Sequence, residues 1–328
     1  MKVLAIGEVM MRLTPPSYKM IEQTDTLDLS FSGTGLNILS GLARNNIEVG
    51  ILTGLPDNAV GKAAGSFIRK LGVRDQWVNY QGNHIGTYFL ELGYGMRASQ
   101  VTYLNRSESS FCSQPITEER LEEGIKDSQM IHICGIALST SSISRDLVLR
   151  AVAIAHKLGK KVIFDFNYRP SLNQETNQKQ LIHDYHTILK QADIVFGSSR
   201  DISNLFELVD QSEEELLKRF FEAFPNVAWF SGTKRSESKG NISGFIVTRE
   251  LKVVSSGSSL TIYDRIGTGD AYAVGVLMGY IHHWSLEETV AFATASAELA
   301  HTTFGDSPVL DEVFIRRYMA DPHNKVYR

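Results

Sequence analysis

The sequence has few cysteines, no long apolar run and no concentration of basic charge. Of its 328 residues only Cys112 and Cys134 are cysteines, and their separation fits neither a disulfide framework nor a metal site. No apolar run approaches the ~20 residues that a membrane span requires, and the N-terminus lacks the apolar region and cleavage site of a signal peptide. These absences predict a cytoplasmic protein.

The charge balance excludes two classes of partner. The net charge is -4 and the pI is about 6.2, and no segment concentrates lysine and arginine, so we expect neither nucleic acid nor a membrane as partner. The nine histidines show no metal-ligand spacing and predict no metal site. With 43% hydrophobic residues, the chain can bury a large core.

Two familiar nucleotide motifs are also missing. There is no Gly-x4-Gly-Lys-Ser/Thr loop, and the segment Ser32–Asn37 has two glycines but lacks the third glycine of a dinucleotide fingerprint. Any bound phosphate must therefore be held by other means. The glycines of this segment would let a ligand approach the backbone, and Asn37 offers a donor and an acceptor to a polyol. Alternatively, Asn37 is an ordinary polar residue in the first turn of a helix.

Short apolar runs alternate with helix-like stretches along the chain. The runs typical of buried strands are Lys2–Ile6, Met130–Cys134, Val162–Asp165, Ile194–Phe196 and Val227–Phe230. Helical patterns cover Leu36–Asn46, Val60–Leu71, Ser144–Leu158, Gln178–Lys190 and Ser212–Phe224, and a capping box at Ser285–Glu288 opens another helix ending near Ala300. This alternation predicts an α/β fold with a mostly parallel central sheet and helices on both faces.

Two segments, about residues 9–31 and 82–111, break this alternation. They show no helical period, and Tyr88–Leu92 is typical of a strand. One interpretation is a small β-strand lid that closes over a reaction and excludes water. The other is a pair of long surface hairpins. We expect residues 1–328 to form a single domain that carries these lid segments.

The segment Asp264–Asp270 is the most informative part of the chain. It precedes the apolar run Ala271–Ile281, which predicts a buried helix. Gly267 and Gly269 would let several N–H groups point at one spot at the positive end of that helix, a ready site for phosphate. Asp270 adds a carboxylate whose simplest role is to take a proton from an attacking hydroxyl. The alternative is a plain turn with Asp270 as the helix N-cap.

A second polar cluster, Asp165–Pro170, follows the predicted strand Val162–Asp165. Open α/β sheets bind ligands beyond the carboxyl ends of their strands, so this cluster is a candidate for ligand contact. Arg169 would then face a ligand, or would pair with Asp165 to hold the loop.

Together these motifs resemble the ribokinase/PfkB family of carbohydrate kinases over nearly the whole chain. Asp264–Gly275 is similar to the family's signature, commonly Asp-Thr-x-Gly-Ala-Gly-Asp-Ala-Phe. The greatest similarity is to the 2-keto-3-deoxygluconate kinases, which carry stretches like Gly7–Pro15, Phe164–Leu172, Tyr103–Arg106 and His301–Asp306. The resemblance implies a ribokinase-like fold and the use of ATP to phosphorylate 2-keto-3-deoxy-D-gluconate at its terminal hydroxyl, giving the 6-phosphate.

The resemblance also implies roles for single residues. Asp270 would be the catalytic base, and the backbone amides of Gly267, Thr268 and Gly269 would form an anion hole. The sugar pocket would be lined by Gly33, Asn37, Tyr88, Tyr103, Arg106, Arg169 and Asp306. The nucleotide would contact Ser198, Ser231, Gly232, Thr233, Gly267 and Gly269. Arg106 and Arg169 are candidates to bind the substrate carboxylate, because a guanidinium can donate two parallel hydrogen bonds; Tyr88 and Tyr103 could instead be lid core.

The chain departs from the family pattern at several positions. Ser32-Gly33 stands where the family has its first Gly-Gly pair. Ser198-x-x-Asp201 stands in place of the Asn-x-x-Glu element associated with metal and phosphate, and Ser231–Arg235 in place of the Thr-x-Gly strand end at the nucleotide. Arg265 stands where threonine is common, and would add charge near the phosphates or pair with Asp264.

These departures leave the metal ligands unassigned, so Mg²⁺ is expected to be held mostly by ATP and water. We further expect a monovalent cation beside Asp264 and a homo-oligomer formed through the lid. Alternatives are a kinase of fructose, ribose or 5-keto-2-deoxygluconate, or a non-catalytic sugar-binding protein on the same scaffold. The intact Gly267, Gly269 and Asp270 favour an enzyme.

Overall fold

The computed structural model describes residues 1–168, 175–208, 211–236 and 240–322. The strands are β1 Val3–Ile6, β2 Met10–Thr14, β3 Asp28–Ser32, β4 Val49–Leu55, β5 Arg74–Tyr80, β6 Thr87–Glu91, β7 Gln100–Leu104, β8 Met130–Cys134, β9 Lys161–Asp165, β10 Ile194–Phe196, β11 Trp229–Ser236, β12 Asn241–Val247 and β13 Lys252–Ser259. The helices are α1 Thr34–Arg44, α2 Ala59–Lys70, α3 Ser110–Ser113, α4 Glu118–Lys126, α5 Ala137–Thr140, α6 Ser142–Lys157, α7 Glu175–Leu189, α8 Ser199–Leu205, α9 Glu213–Ala223, α10 Thr268–His282, α11 Leu286–Ala300 and α12 Glu312–Ala320.

The main sheet has nine strands in the order β13-β12-β11-β10-β9-β8-β1-β4-β5. The strands from β11 to β5 run parallel, and the hairpin β12–β13 adds an antiparallel edge. One face packs against α4, α6, α7, α8 and α9, and the other against α1, α2, α10 and α11. Because both faces are covered, the central strands are mostly apolar. The predicted α/β architecture is confirmed.

Four strands of the main sheet were not predicted from the sequence. β5 at one edge and β12 and β13 at the other are rich in polar residues or in serine and glycine. β4 is wholly buried but contains two glycines, which lower strand propensity. Gly50 is needed there because a Cβ at that position would lie 2.9 Å from the Trp77 ring of β5.

The second, smaller sheet, which we call the lid sheet, has the order β3-β2-β6-β7. Its strands come from the two segments that interrupt the alternation of strands and helices. β2 pairs in parallel with β6, and the outer strands pair antiparallel. Its inner face packs Met10, Tyr88 and Leu90 together, with Ile266 of the signature segment against them. The lid sheet therefore lies over the segment that precedes α10.

α10 is buried because two of its glycines let α11 approach closely. A Cβ on Gly275 would lie 2.4 Å from the Cα of Ala293, and a Cβ on Gly279 would lie 2.2 Å from Oγ1 of Thr289. The helix begins at Thr268 after Gly267 as N-cap, so Asp270 lies in the first turn and is not the cap.

The helix start predicted at Ser285 is correct, but the capping box there is only half formed. The Ser285 hydroxyl accepts from the Glu288 amide at 3.1 Å, whereas the Glu288 carboxylate pairs with Arg316 at 2.9 Å. No helix in the described ranges is both long and apolar enough to cross a membrane.

Candidate active site

A cavity of about 760 Å³ lies beyond the carboxyl ends of the central strands, between the main sheet and the lid sheet. This is the edge at which open α/β sheets bind ligands. Residues that line it include Gly7, Glu8, Gly33, Asn37, Tyr88, Tyr103, Arg106, Asp165, Asn167, Ser198, Gly232, Thr233, Arg265, Gly267, Gly269, Asp270 and Asp306. Most side chains predicted to bind the sugar and the nucleotide therefore share one cavity.

The two glycines before Asp270 have different physical roles. Gly267 has a φ of +76°, and a Cβ there would lie 1.9 Å from the carbonyl oxygen of Asp306, so only glycine fits. At Gly269, no described atom comes within 4 Å of an added Cβ, and the residue lines the cavity. The Thr268 side chain turns inward and donates to the Arg265 carbonyl at 3.1 Å. The first turn of α10 thus presents backbone to the cavity, as an anion site requires.

Asn37 holds Asp270 directly. Nδ2 of Asn37 donates to Oδ2 of Asp270 at 2.7 Å, and Oδ1 of Asn37 accepts from the Ser307 hydroxyl at 3.3 Å. Both side chains line the cavity. Asn37 therefore orients the carboxylate at the start of α10, a contact that the sequence did not indicate.

Arg106 is half of an ion pair that the sequence did not predict. Its Nε donates to Glu8 at 2.7 Å, and the same carboxylate accepts from the Ser109 hydroxyl at 2.8 Å. Burial lowers the pKa of Arg106, but the adjacent Glu8 more than offsets this and leaves it raised. The guanidinium lies 5.2 Å from the ring centroid of Tyr103. Nη1 of Arg106 is buried without a hydrogen-bond partner in the described ranges, so a ligand oxygen would relieve a real cost.

Asp306 belongs to a buried network that joins the lid sheet to the C-terminal part of the chain. Its carboxylate accepts from Tyr88 at 2.6 Å, from Ser32 and from Arg12. Arg12 also donates to Asp264 at 3.3 Å. Burial raises the pKa of Tyr88, and the neighbouring Asp306 raises it further. The Asp306 carboxylate is therefore engaged in this network, and Tyr88 is both lid core and cavity wall.

Of the residues predicted to contact the nucleotide on β11 and before α8, three line the cavity and one, Ser231, is buried in the core. Ser198 caps α8 together with Asp201, whose Oδ2 accepts from the Ser198 hydroxyl at 2.6 Å. Ser231 is fully buried and donates to the Phe245 carbonyl at 2.8 Å, so its side chain supports the core. Gly232 and Thr233, which follow it on β11, line the cavity.

Two arginines, Arg235 and Arg265, lie at the start of α10. Arg265 lines the cavity, and Asp264 is paired with Arg12 rather than with Arg265. Nη2 of Arg235 donates to Oγ1 of Thr268 at 3.2 Å. Burial, and then the neighbouring Arg265, lower the pKa of Arg235. The expectation that Arg265 pairs with Asp264 is wrong, and its contribution of charge near the phosphates of ATP stays a prediction.

The polar cluster after β9 is described only as far as residue 168. Oδ1 of Asp165 accepts from the Asn167 amide at 3.0 Å, and the Asn167 side chain donates to Thr34 at 2.9 Å. Arg169 lies outside the described residues. Among those described, no three histidine, cysteine, aspartate or glutamate side chains are grouped to hold a metal.

Comparison with known proteins gives a consistent result. A family model described as pfkB family carbohydrate kinase matches residues 1–312. The chain is 25% identical to 5-dehydro-2-deoxygluconokinase of Clostridium perfringens over 96% of this chain and 93% of that protein.

Two solved structures are also similar. One, provisionally described as a 2-keto-3-deoxygluconate kinase of Enterococcus faecalis, is 43% identical with a TM-score of 0.95, covering 100% of this chain and 98% of the other. The other, 2-dehydro-3-deoxygluconokinase of Thermotoga maritima, is 27% identical with a TM-score of 0.89, covering 98% and 99%.

Proposed function

Because this chain belongs to the pfkB family of carbohydrate kinases, we propose that it uses ATP to phosphorylate 2-keto-3-deoxy-D-gluconate at its terminal hydroxyl. One observation carries the proposal. A single cavity is lined both by Asp270, at a helix N-terminus, and by Arg106, whose buried Nη1 has no hydrogen-bond partner in the described ranges. The cavity can therefore receive a substrate with a hydroxyl at one end and a carboxylate at the other.

Asp270 would accept the proton of the terminal hydroxyl as that oxygen attacks the γ-phosphorus of ATP. Asn37 would keep the carboxylate oriented, since its donor lies 2.7 Å from Oδ2. The amides of Gly267, Thr268 and Gly269 would stabilise charge on the transferred group, because they are fixed before the reaction begins. A positioned base contributes roughly 10²–10⁴-fold to such a rate.

The sugar acid would lie under the lid sheet. Its carboxylate would accept from Nη1 of Arg106, and Arg169 stays the second predicted partner. Tyr103 flanks the same guanidinium at 5.2 Å and would shield the ion pair from water. Gly33 lines the cavity and is the predicted backbone contact for the sugar. Glycine is also required there by packing, because an added Cβ would lie 2.2 Å from the Glu8 carbonyl oxygen.

ATP would occupy the part of the cavity lined by Ser198, Gly232 and Thr233, with its phosphates directed toward Gly267 and Arg265. The described residues offer no cluster for a metal, so the chain would hold Mg²⁺ through the nucleotide phosphates and water. A monovalent cation next to Asp264 stays a prediction, and Arg12 already donates to that carboxylate at 3.3 Å.

We also propose that the protein forms a homo-oligomer through the lid sheet. All five residues of the edge strand β7 are exposed, and Leu29 on the opposite edge strand is 58% exposed. An edge strand with apolar side chains is a template for pairing with another copy. Light scattering should report a dimer or larger species for the wild type and a monomer for Leu29→Glu. A monomeric wild type would contradict the proposal.

A cytoplasmic location and a single domain remain predictions.

The function is tested by ATP-dependent turnover on 2-keto-3-deoxygluconate, 5-keto-2-deoxygluconate, fructose and ribose, with Asp270→Asn as the background. We expect a preference of about 100-fold or more for 2-keto-3-deoxygluconate over the neutral sugars, equivalent to about 2.7 kcal/mol. Asp270→Asn should lose most turnover while still binding ATP.

Each other outcome has a definite meaning. A preference for 5-keto-2-deoxygluconate would select the second candidate, which the similarity to 5-dehydro-2-deoxygluconokinase favours. A preference for fructose or ribose would remove Arg106 as the carboxylate partner. Binding of a sugar without turnover would favour the non-catalytic alternative.

A further inference from the structure

We propose that Arg12 is a positioning residue that couples the seating of the lid sheet to the geometry of the phosphate-binding turn at residues 264–269. The proposal rests on the kinase function proposed above. Arg12 is not among the cavity-lining residues; it acts through two carboxylates.

Arg12 is a fully buried arginine whose donors point to distant parts of the chain. It lies on β2 of the lid sheet and is 1% exposed. Its Nε donates to Thr14 at 2.9 Å, and its two terminal nitrogens donate to Asp306 and Asp264, which are 294 and 252 residues away in the sequence. A buried guanidinium with this many fitted partners is costly to assemble and is therefore specific for one arrangement.

Each carboxylate partner also fixes the phosphate-binding turn. Oδ1 of Asp264 accepts from the Ile266 amide at 3.0 Å, and Oδ2 accepts from the Gly305 amide at 3.3 Å. The Asp306 carbonyl oxygen packs directly against Gly267, where an added Cβ would be 1.9 Å away. A shift of either aspartate would therefore move the turn that presents the anion-hole amides.

The charges of the network require Arg12. Asp264 and Asp306 are 2% and 7% exposed, and Arg12 pairs with both. Burial lowers the pKa of Arg12, but Asp306 and Asp264 outweigh this and leave it raised. Without the guanidinium, two buried carboxylates would remain without this cation, and their mutual repulsion would drive them apart.

The network links the lid sheet as a unit. β2 contributes Arg12, β3 contributes Ser32 and β6 contributes Tyr88, and all three donate to the carboxylate of Asp306. Tyr88 also lines the cavity. The lid sheet is therefore joined to Asp306 by three of its four strands, and Asp306 contacts Gly267. When the lid sheet is displaced, this support of the turn is lost.

The test is Arg12→Ala with and without added guanidinium ion at low millimolar concentration. We expect kcat to fall about 100-fold, the typical effect of a misplacement near 1 Å, with a much smaller change in the KM for ATP. Added guanidinium should raise the kcat of Arg12→Ala at least tenfold, because the ion can enter the vacated space between the carboxylates. Arg12→Lys should keep part of the activity without any response to guanidinium.

The matched control is Arg145→Ala, which removes another arginine from a buried carboxylate. Arg145 pairs with Asp184 in a two-bond geometry, and it is not among the cavity-lining residues. This variant should lose stability but keep wild-type kcat, and guanidinium should not change it. If Arg12→Ala does not fold, the charge-balanced pair Arg12→Gln with Asp306→Asn is measured instead, and it should fold with a low kcat.

A second readout does not depend on turnover. Hydrogen exchange of the segment 264–270 should be faster in Arg12→Ala and slower again when guanidinium is added. A folded Arg12→Ala with wild-type kcat and unchanged exchange would overturn the proposal, as would a kcat loss that guanidinium does not reverse. If the wild type turned over no sugar, the kinase function would fail, and the exchange result would still decide the role of Arg12.

Discussion

Replacing Gly267 by alanine should damage catalysis more than folding strain alone can explain. The residue has a φ of +76°, and the added Cβ would lie 1.9 Å from the carbonyl oxygen of Asp306. Carbon atoms of this kind essentially never approach within 3.0 Å, so 3.0 minus 1.9, or about 1.1 Å, must be supplied by moving backbone. A displacement near 1 Å at a positioning element costs about 100-fold in rate, equivalent to about 2.7 kcal/mol of barrier.

Gly159 separates the two effects of this substitution. It has a φ of +65°, and no described atom lies within 4 Å of an added Cβ, so Gly159→Ala bears only the conformational cost of about 1–2 kcal/mol. ADP-release kinetics should show a normal kcat for Gly159→Ala, and urea unfolding should show only this conformational cost. Gly267→Ala should lose more stability than Gly159→Ala and about 100-fold in kcat. Wild-type kcat in Gly267→Ala, with no greater loss of stability than in Gly159→Ala, would refute the reasoning.

Three other predictions concern single side chains. Asn37→Leu removes the donor to Asp270 and should lower kcat by about 10–100-fold, the equivalent of one hydrogen bond to a charged group. The KM for ATP should change little. An unchanged kcat in steady-state assays would contradict this prediction. Arg106→Lys can keep a charge beside Glu8 but loses the second guanidinium donor, so kcat/KM for the sugar acid should fall at least tenfold, while equal losses on a neutral sugar would contradict a carboxylate contact. Burial lowers the pKa of His132 to about 4, so as pH falls from about 6.5 to 4 the unfolded chain takes up a proton that the folded protein does not. His132 should therefore remove about 3 kcal/mol of stability over that range, and urea unfolding of His132→Leu should lack this loss.

The sequence predicts most of the fold because the central strands are buried on both faces. β1 and β10 are continuous apolar runs, β8 is interrupted only by His132, and β9 has the apolar centre Val162–Phe164, so the pattern is visible without any neighbour. The strands near the edges were not predicted because one face or one edge meets solvent, and polar residues there interrupt the apolar pattern. Gly50 adds a case in which a residue unfavourable for a strand is required by the packing of Trp77.

The site is predicted unevenly for a different reason. Gly267, Gly269 and Asp270 lie within four residues of one another, so a local pattern contains the whole arrangement. Glu8 and Arg12 act through partners about a hundred residues or more away, and such pairings arise only when the chain is folded. An arginine between Met11 and Leu13 in an alternating strand is the one local signal for Arg12, and it is equally typical of a surface position.

The pairing of Arg12 with Asp306 also constrains how the polypeptide can acquire its structure during synthesis. Contacts between distant parts of a chain form slowly, because a large loop must close before they contribute. Until residues 264–306 have been synthesised, β2 carries a guanidinium whose carboxylate partners, Asp264 and Asp306, are not yet present. The N-terminal strands of the lid sheet cannot reach their final packing before then, so a chain truncated ahead of residue 264 would carry this charge without compensation and should be prone to aggregation. The cavity wall to which Asp306 belongs therefore cannot be completed before residues 264–306 have been synthesised.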